Sequence, residues 1–371
     1  MNQNLKVLVI AGARPNFMKV APIMKAISQH NSVNKNGGTA IDARLVHTGQ
    51  HYDEAMSAVF FRELGIQPPD INLGVGSGSH AVQTARIMTS FETVCEQEKP
   101  DWVVVVGDVN STMACTLVCS KMSIRVAHVE AGLRSFDRNM PEEVNRLVTD
   151  SLADLLLTPS ADADENLRRE GVSDSKIKLV GNVMIDTLVA NLEKARTVHL
   201  PKTIGLEKKR FVYVTLHRPS NVDDQTSLVA IMTELKRIAG QIPIVFPMHP
   251  RTRKMCAQFA ISLNQDNGLK ILEPIGYHDS LFLTENARLV LTDSGGLQEE
   301  STYFKTPCLT LRPNTERPIT VSMGSNKLTD LKCLSADIEG VLKREPEFGN
   351  IPPLWDGRAA ERIVNSLLEQ G

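Results

Sequence analysis

Val103-Val104-Val105-Val106-Gly107-Asp108 is four β-branched residues running into a glycine and a carboxylate. An unbroken apolar run of this length is the mark of a strand covered on both faces, as in a parallel sheet flanked by helices. Outward from it, short β-branched runs alternate with amphipathic stretches of helical length, the pattern of βαβ units. Leu5 to Ala11, Ala43 to His47, Ile124 to His128, Leu155 to Thr158 and Ile177 to Val180 read as further strands of the first half. Its helices begin near Phe17, Asp53, His80, Ser111 and Glu142. Gly181-Asn182 breaks the pattern, which then restarts. Strands are expected at Phe211 to Leu216, Ile244 to Met248, Leu269 to Leu272, Leu289 to Thr292 and Cys308 to Leu311, with helices near Gln225, Thr252, Asp279 and Gly296. The spacing predicts an α/β chain of two doubly wound, Rossmann-like domains, residues 1–181 and 182–354, with a cleft between them and a last helix in 355–371.

The chain's 371 residues exceed the ~250–300 at which one core stops growing, which also favours two domains. Forty-one Lys and Arg against 43 Asp and Glu leave a net charge of −2. That balance gives no bulk attraction to nucleic acid or to acidic lipid. No apolar run approaches the ~18 residues of a membrane span, and Val7 to Ala13 is too short for a signal peptide's apolar region, so a cytoplasmic protein is expected. Six cysteines without a CxxC pair read as reduced thiols. Cys115 and Cys119, one turn apart without further ligands, do not make a metal site. The short charge run Lys208-Lys209-Arg210 reads as solvated.

In open α/β sheets the ligand lies outside the carboxyl ends of the strands. After the first strand comes Gly12-Ala13-Arg14-Pro15-Asn16-Phe17-Met18-Lys19, in which a helix N-terminus and two cations make an anion site without the GxGxxG fingerprint. Asp108 follows the Val103 run, and Glu130 follows the next strand, where a carboxylate needs a partner or a task. Glu142 and Glu143 open a helix. Helix capping for Asp108 and the helix dipole for Glu142 are the structural alternatives. In the second half His217 and His249 each follow a strand. Ser294-Gly295-Gly296 opens a helix as a phosphate cradle, with Glu300 one turn further on, near where a ribose would lie. Cations and a glycine cradle around a cleft, with carboxylates on the opposite domain, suit a nucleotide sugar.

Together Gly12-x-Arg14-Pro15-x3-Lys19-x2-Pro22, Thr48-Gly49-Gln50-His51, Gly107-Asp108, His128-x-Glu130-Ala131-Gly132-Leu133-Arg134, Pro141-Glu142-Glu143-x-Asn145-Arg146, Gly181-Asn182, His217-Arg218, Thr292-Asp293-Ser294-Gly295-Gly296-x-Gln298-Glu299-Glu300 and Thr315-Glu316-Arg317-Pro318 resemble the non-hydrolysing UDP-N-acetylglucosamine 2-epimerases, in order from Gly12 to about Asn326. The resemblance implies a GT-B-like fold whose C-terminal helix returns to the first domain, a homodimer, and a part in polysaccharide biosynthesis. It implies reversible conversion of UDP-GlcNAc to UDP-ManNAc without a redox cofactor or metal. It further implies an optional second UDP-GlcNAc as activator near Gln50 and His249. Asn16 stands where a Glu is usual, Pro219-Ser220 where Arg-Glu is, and Ile275 where a Gln is common. Enzymes acting on UDP-diacetamido sugars or their uronates share most of this pattern. A GT-B glycosyltransferase, a hydrolysing epimerase and a nucleotide-sugar sensor are the other readings.

The C2 hydrogen of the sugar has no adjacent carbonyl to acidify it, so the accessible path is elimination of UDP to a 2-acetamidoglucal and re-addition. That path needs acid/base groups and cations that retain the diphosphate. Asp108, Glu130 and Glu142 are the acid/base candidates. Arg14, Lys19, His217 and the Ser294-Gly295-Gly296 turn are the expected diphosphate holders, with His217 counted also in the catalytic set. Glu300 is assigned to the ribose and Arg317 to the diphosphate or sugar.

Overall fold

The computed structural model describes residues 4–33, 39–49, 67–263, 268–343 and 349–370, and of Arg14 and Pro15 the backbone alone. The helix expected near Asp53, and Gln50 and His51, lie outside the described residues. The chain divides into two compact units, Met1–Val189 with Pro353–Gly371, and Ala190–Pro352. The division falls inside the helix Val183–Arg196, a little beyond the break in pattern at Gly181-Asn182.

The first unit's sheet is wholly parallel: β1 (Leu5–Ala11), β2 (Ile41–His47), β3 (Ile71–Asn72), β4 (Trp102–Val106), β5 (Arg125–Val129), β6 (Leu155–Thr158) and β7 (Ile177–Leu179), in the order β3-β2-β1-β4-β5-β6-β7. Every residue of β4 is buried, as its unbroken apolar run requires. The chain reverses its winding between β1 and β4, where ligands of doubly wound sheets bind. Val106 pairs with Val129, so Gly107-Asp108 leaves the sheet beside Glu130. The two-residue β3 is too short to carry a readable period. The helices Ala161–Arg169 and Val183–Arg196 also went unread. The first is Asp- and Arg-rich, with only Ala163 and Leu167 as its buried apolar residues, and the second begins at the pattern break itself.

The second unit repeats the scheme with β8 (Val212–Thr215), β9 (Ile244–Pro247), β10 (Leu269–Leu272), β11 (Leu289–Thr292), β12 (Cys308–Leu311) and β13 (Asn326–Thr329), in the order β10-β9-β8-β11-β12-β13. Thr215 pairs with Thr292, which sets His217 against Asp293 at this unit's own switch point. The missed strand β13, Asn-Lys-Leu-Thr, has three polar residues of four and forms the sheet's edge. All three residues of the run Lys208-Lys209-Arg210 are exposed, and Lys209 also donates from Nζ to the carbonyls of Glu285 (2.6 Å) and Ala287 (3.1 Å) at the end of the helix Tyr277–Asn286.

The C-terminal helix Ala359–Glu369 belongs to the first unit and packs on the helix Arg14–Val33. The Asp186 carboxylate caps it from another helix, accepting from the N–H groups of Ala359 (3.1 Å) and Ala360 (2.8 Å). Five cysteines are buried and Cys333 is exposed, all as free thiols. No described helix is long and apolar enough to cross a membrane.

Candidate active site

In the first unit the turn after β1 closes on itself. Asn16 Oδ1 accepts from the N–H groups of Gly12 (3.1 Å) and Ala13 (2.9 Å), and its Nδ2 donates to Val106 O (2.9 Å). The backbone donors expected to hold an anion there are therefore occupied from within. This tie explains an Asn at the position, because a carboxylate could accept both N–H groups but could not donate to Val106. Lys19, expected at a diphosphate, forms a buried ion pair with Glu130 Oε2.

Glu130 is 4 % exposed and sits at φ +69°, a left-handed backbone for a residue with a Cβ. Its Oε1 has no hydrogen-bond partner among the described residues. Gly107, at φ +67°, walls this pair: a Cβ there would come within 2.7 Å of Lys19 Nζ and 3.5 Å of Glu130 Oε2. Only a glycine leaves room for the ion pair and tolerates the backbone.

Asp108 does not cap the following helix, whose N-cap is Val109 without a side-chain bond. Its Oδ2 instead receives Arg146 Nη1 at 2.5 Å, and its carbonyl receives Asn145 Nδ2 at 2.8 Å. Arg146 is buried and also binds Glu143 Oε2 through Nε (3.0 Å) and Nη2 (2.5 Å). Glu143 in turn accepts from the N–H groups of Ser135 and Phe136, both at 2.9 Å. Burial pushes the Glu143 carboxyl up, but the Ser135 N–H and Arg146 outweigh it and hold it below its ordinary range. Glu142, its neighbour, is exposed at the same helix start. Sequence reasoning quoted Glu143 and Arg146 only as motif members. Their three-residue spacing on a helix was the available signal for a pair.

In the second unit, the Asp293 carboxylate is fully buried and gathers the turn after β8. It accepts from His217 N–H (3.0 and 3.1 Å), Arg218 N–H (2.9 Å), Asn221 Nδ2 (3.1 Å) and His217 Nδ1 (2.9 Å). Burial raises its carboxyl, but His217 and these donors bring it below the usual value. Asp293 thus fixes the ring orientation of His217, whose side chain remains 43 % exposed. The His249 ring lies 5.7 Å from that of His217 and caps its own helix by accepting from Arg251 N–H (3.1 Å). Burial, then His217 and Arg251, lower the His249 pKa, favouring the neutral ring that a cap acceptor requires.

The Ser294-Gly295-Gly296 turn differs from the turn after β1. Ser294 N–H is taken by Thr292 Oγ1 (3.0 Å), but no side chain caps the helix Gly295–Phe304 that follows. A Cβ on Gly296 would meet nothing within 4 Å, whereas one on Gly295 would come within 2.8 Å of Arg317 Nη1. Arg317 is buried, held by Glu299 Oε1 and Glu316 Oε1, each at 2.6 Å. An open helix N-terminus backed by a fixed guanidinium is suited to an anion.

Glu300 is buried one turn along. Burial, then the charge of Glu299, push its carboxyl up to about 8, partly offset by the Tyr277 hydroxyl. A carboxyl raised from 4.5 in the unfolded chain to about 8 in the fold costs stability as pH rises through that window, because ionisation then opposes burial. Glu300→Gln should therefore melt progressively higher than the parent as pH goes from 5 towards 9. Parallel melting curves with no pH-dependent gap would show that Glu300 ionises freely.

The sequence pattern of the UDP-N-acetylglucosamine 2-epimerase family matches residues 34–368. A UDP-N-acetylglucosamine 2-epimerase of Methanocaldococcus jannaschii is 42 % identical over 372 residues, 98 % of this chain and 99 % of the relative. A UDP-2,3-diacetamido-2,3-dideoxy-D-glucuronate 2-epimerase of Pseudomonas aeruginosa is 40 % identical over 328 residues, 87 % of this chain and 88 % of the relative. The crystal structure of the M. jannaschii UDP-GlcNAc 2-epimerase in complex with UDP-GlcNAc and UDP superposes with a TM-score of 0.86, covering 99 % of this chain and all of that one.

Proposed function

This chain belongs to the UDP-N-acetylglucosamine 2-epimerase family, and from that premise we propose that it interconverts UDP-GlcNAc and UDP-ManNAc by elimination and re-addition of UDP. A base removes the C2 proton while the C1–O bond breaks, its electron pair leaving with UDP and a C1=C2 double bond forming. UDP then returns to C1 as an acid delivers a proton to the other face of C2. Atoms and charge balance without an oxidant, so acid/base groups suffice.

The observation that carries this reading is the contrast between two carboxylates at adjacent strand ends. Glu130 is buried on Lys19 with one oxygen unpartnered among the described residues, and Asp108 is partly exposed on Arg146. Their unlike surroundings give the two carboxylates unlike access to a bound sugar. Glu142 is the third member, free to meet the sugar from the helix start. Lys19 pairs with Glu130 and is also a cation for the diphosphate. The second unit, with Gly295-Gly296, His217 and Arg317, holds the diphosphate together with Arg14, and Glu300 takes the ribose. Domain roles follow the same split, carboxylates on the first unit and UDP on the second. A homodimer and an activating second UDP-GlcNAc near Gln50 and His249 complete the reading. Light scattering tests the dimer, and UDP-ManNAc turnover with and without a trace of UDP-GlcNAc tests the activator.

Given UDP-GlcNAc alone in D2O, the protein should yield UDP-ManNAc with deuterium at C2 of both epimers. Epimerisation without deuterium would exclude the elimination path. The 40 % identical relative that acts on a diacetamido uronate supports a second reading, in which that class of sugar is the substrate. No turnover of UDP-GlcNAc, with turnover of the uronate, would select it.

A further inference from the structure

Behind the two strand-end carboxylates lies a buried polar cluster to which no role has been given. His128, on β5, is fully buried. Its Nδ1 lies 2.6 Å from Asp150 Oδ1, and its Nε2 lies 2.8 Å from the carbonyl of Gly107. Asp150 Oδ2 accepts from the N–H of Gly132 (3.0 Å) and from Arg134 Nη1 (2.7 Å). Arg134 forks onto Glu170 at 2.8 and 2.7 Å.

We propose that His128 and Asp150 are positioning residues for the acid/base carboxylates Glu130 and Asp108, an inference that rests on the function proposed above. Asp150 grips Gly132, two residues after Glu130. Through His128 it also grips Gly107, the residue before Asp108 and the wall of the Lys19–Glu130 pair. Gly107 N–H is held by Val129 O (3.0 Å), so both polar groups of Gly107 are tied to β5. One buried dyad thus fixes the backbone of two loops that carry the chemistry, and it holds the left-handed turns at Gly107 and Glu130 in place.

The dyad also fixes which ring nitrogen must donate to Gly107. A carbonyl can only accept a hydrogen bond, and so can an ionised carboxylate. Burial raises the Asp150 carboxyl, but His128, Arg134 and the Gly132 N–H more than reverse that, so it faces His128 ionised. The Gly107 carbonyl therefore requires the hydrogen on Nε2 of His128.

The test has two arms. In protein labelled with ¹⁵N-histidine, Nε2 of His128 should show the protonated signature that a bond to the Gly107 carbonyl requires. An unprotonated Nε2 would overturn the link to Gly107. In the second arm, His128→Gln and Asp150→Asn should lower kcat by about 10²-fold, since displacements near 1 Å cost that much, while KM and UDP affinity stay within about twofold. A lower melting temperature with parental kcat per folded molecule would mark the cluster as packing alone and sink the proposal. Glu130→Gln is run alongside. If it keeps parental turnover, the acid/base reading has failed, whereas a dead Glu130→Gln beside a fully active His128→Gln rejects only the positioning role. Should the variants not fold, the ring-nitrogen measurement on the unaltered protein decides.

Discussion

Glu130→Gln is expected to lower turnover by about 10²–10⁴-fold, the usual contribution of a general acid or base, while UDP affinity changes little. The substitution keeps the shape of the side chain and removes its charge. It also leaves Lys19 buried without a counter-charge, at a cost of about 3–5 kcal/mol, so turnover has to be expressed per folded molecule. The double variant Lys19→Met, Glu130→Gln separates the two effects: thermal stability should recover and turnover should not. If turnover recovers with stability, Glu130 is a structural partner and not a reacting group. Asp108→Asn and Glu142→Gln belong in the same series. Near-parental turnover in two of the three single variants would remove the carboxylate trio from the mechanism.

Arg146→Ala should be the most destabilising single change at the site. One buried guanidinium joins Asp108 to Glu143, and Glu143 in turn pins the backbone of Ser135 and Phe136. Removing it leaves the Glu143 carboxylate buried with its main cation gone, at about 3–5 kcal/mol, and lets Asp108 swing free. Arg146→Lys tests geometry apart from charge. A lysine ammonium has no planar fork with which to bridge two carboxylates, so stability should return in part while kcat stays low. Urea unfolding followed beside steady-state rates distinguishes these outcomes. If Arg146→Lys restores full turnover, charge alone is what Asp108 requires. If Arg146→Ala unfolds at the parental urea concentration, the clamp contributes nothing.

The proposed assignments differ in how far the structure constrains them. The turn after β1 has its N–H donors filled by Asn16, whereas the Gly295-Gly296 turn is left uncapped. Two turns both read from the sequence as anion sites therefore differ in the donors they leave free. This is why the proposal puts the diphosphate chiefly on the second unit. The resemblance treated Asn16 as a departure, and its place in the fold is as the donor that fastens β1's turn to β4.

Local patterning was enough for the alternation of strand and helix, and so for two parallel sheets. A buried parallel strand must be continuously apolar, and a helix must show an apolar face, whatever surrounds them. The strand-end positions of Asp108, Glu130, His217 and Ser294-Gly295-Gly296 followed directly from that. Patterning failed where an element is short, like β3, or polar because it lies at an edge, like β13. Which side chain faces which was decided only by tertiary structure. Lys19 and Glu130 are 111 residues apart, Arg146 and Asp108 are 38 apart, and Asp293 reaches back 76 residues to His217. Such pairs have no sequence period, because strand order and register bring them together. Their energetics depend on burial that no local pattern records: it is the packed interior that leaves Glu130 half satisfied, sets Glu143 rather than Glu142 on Arg146, and raises the Glu300 carboxyl.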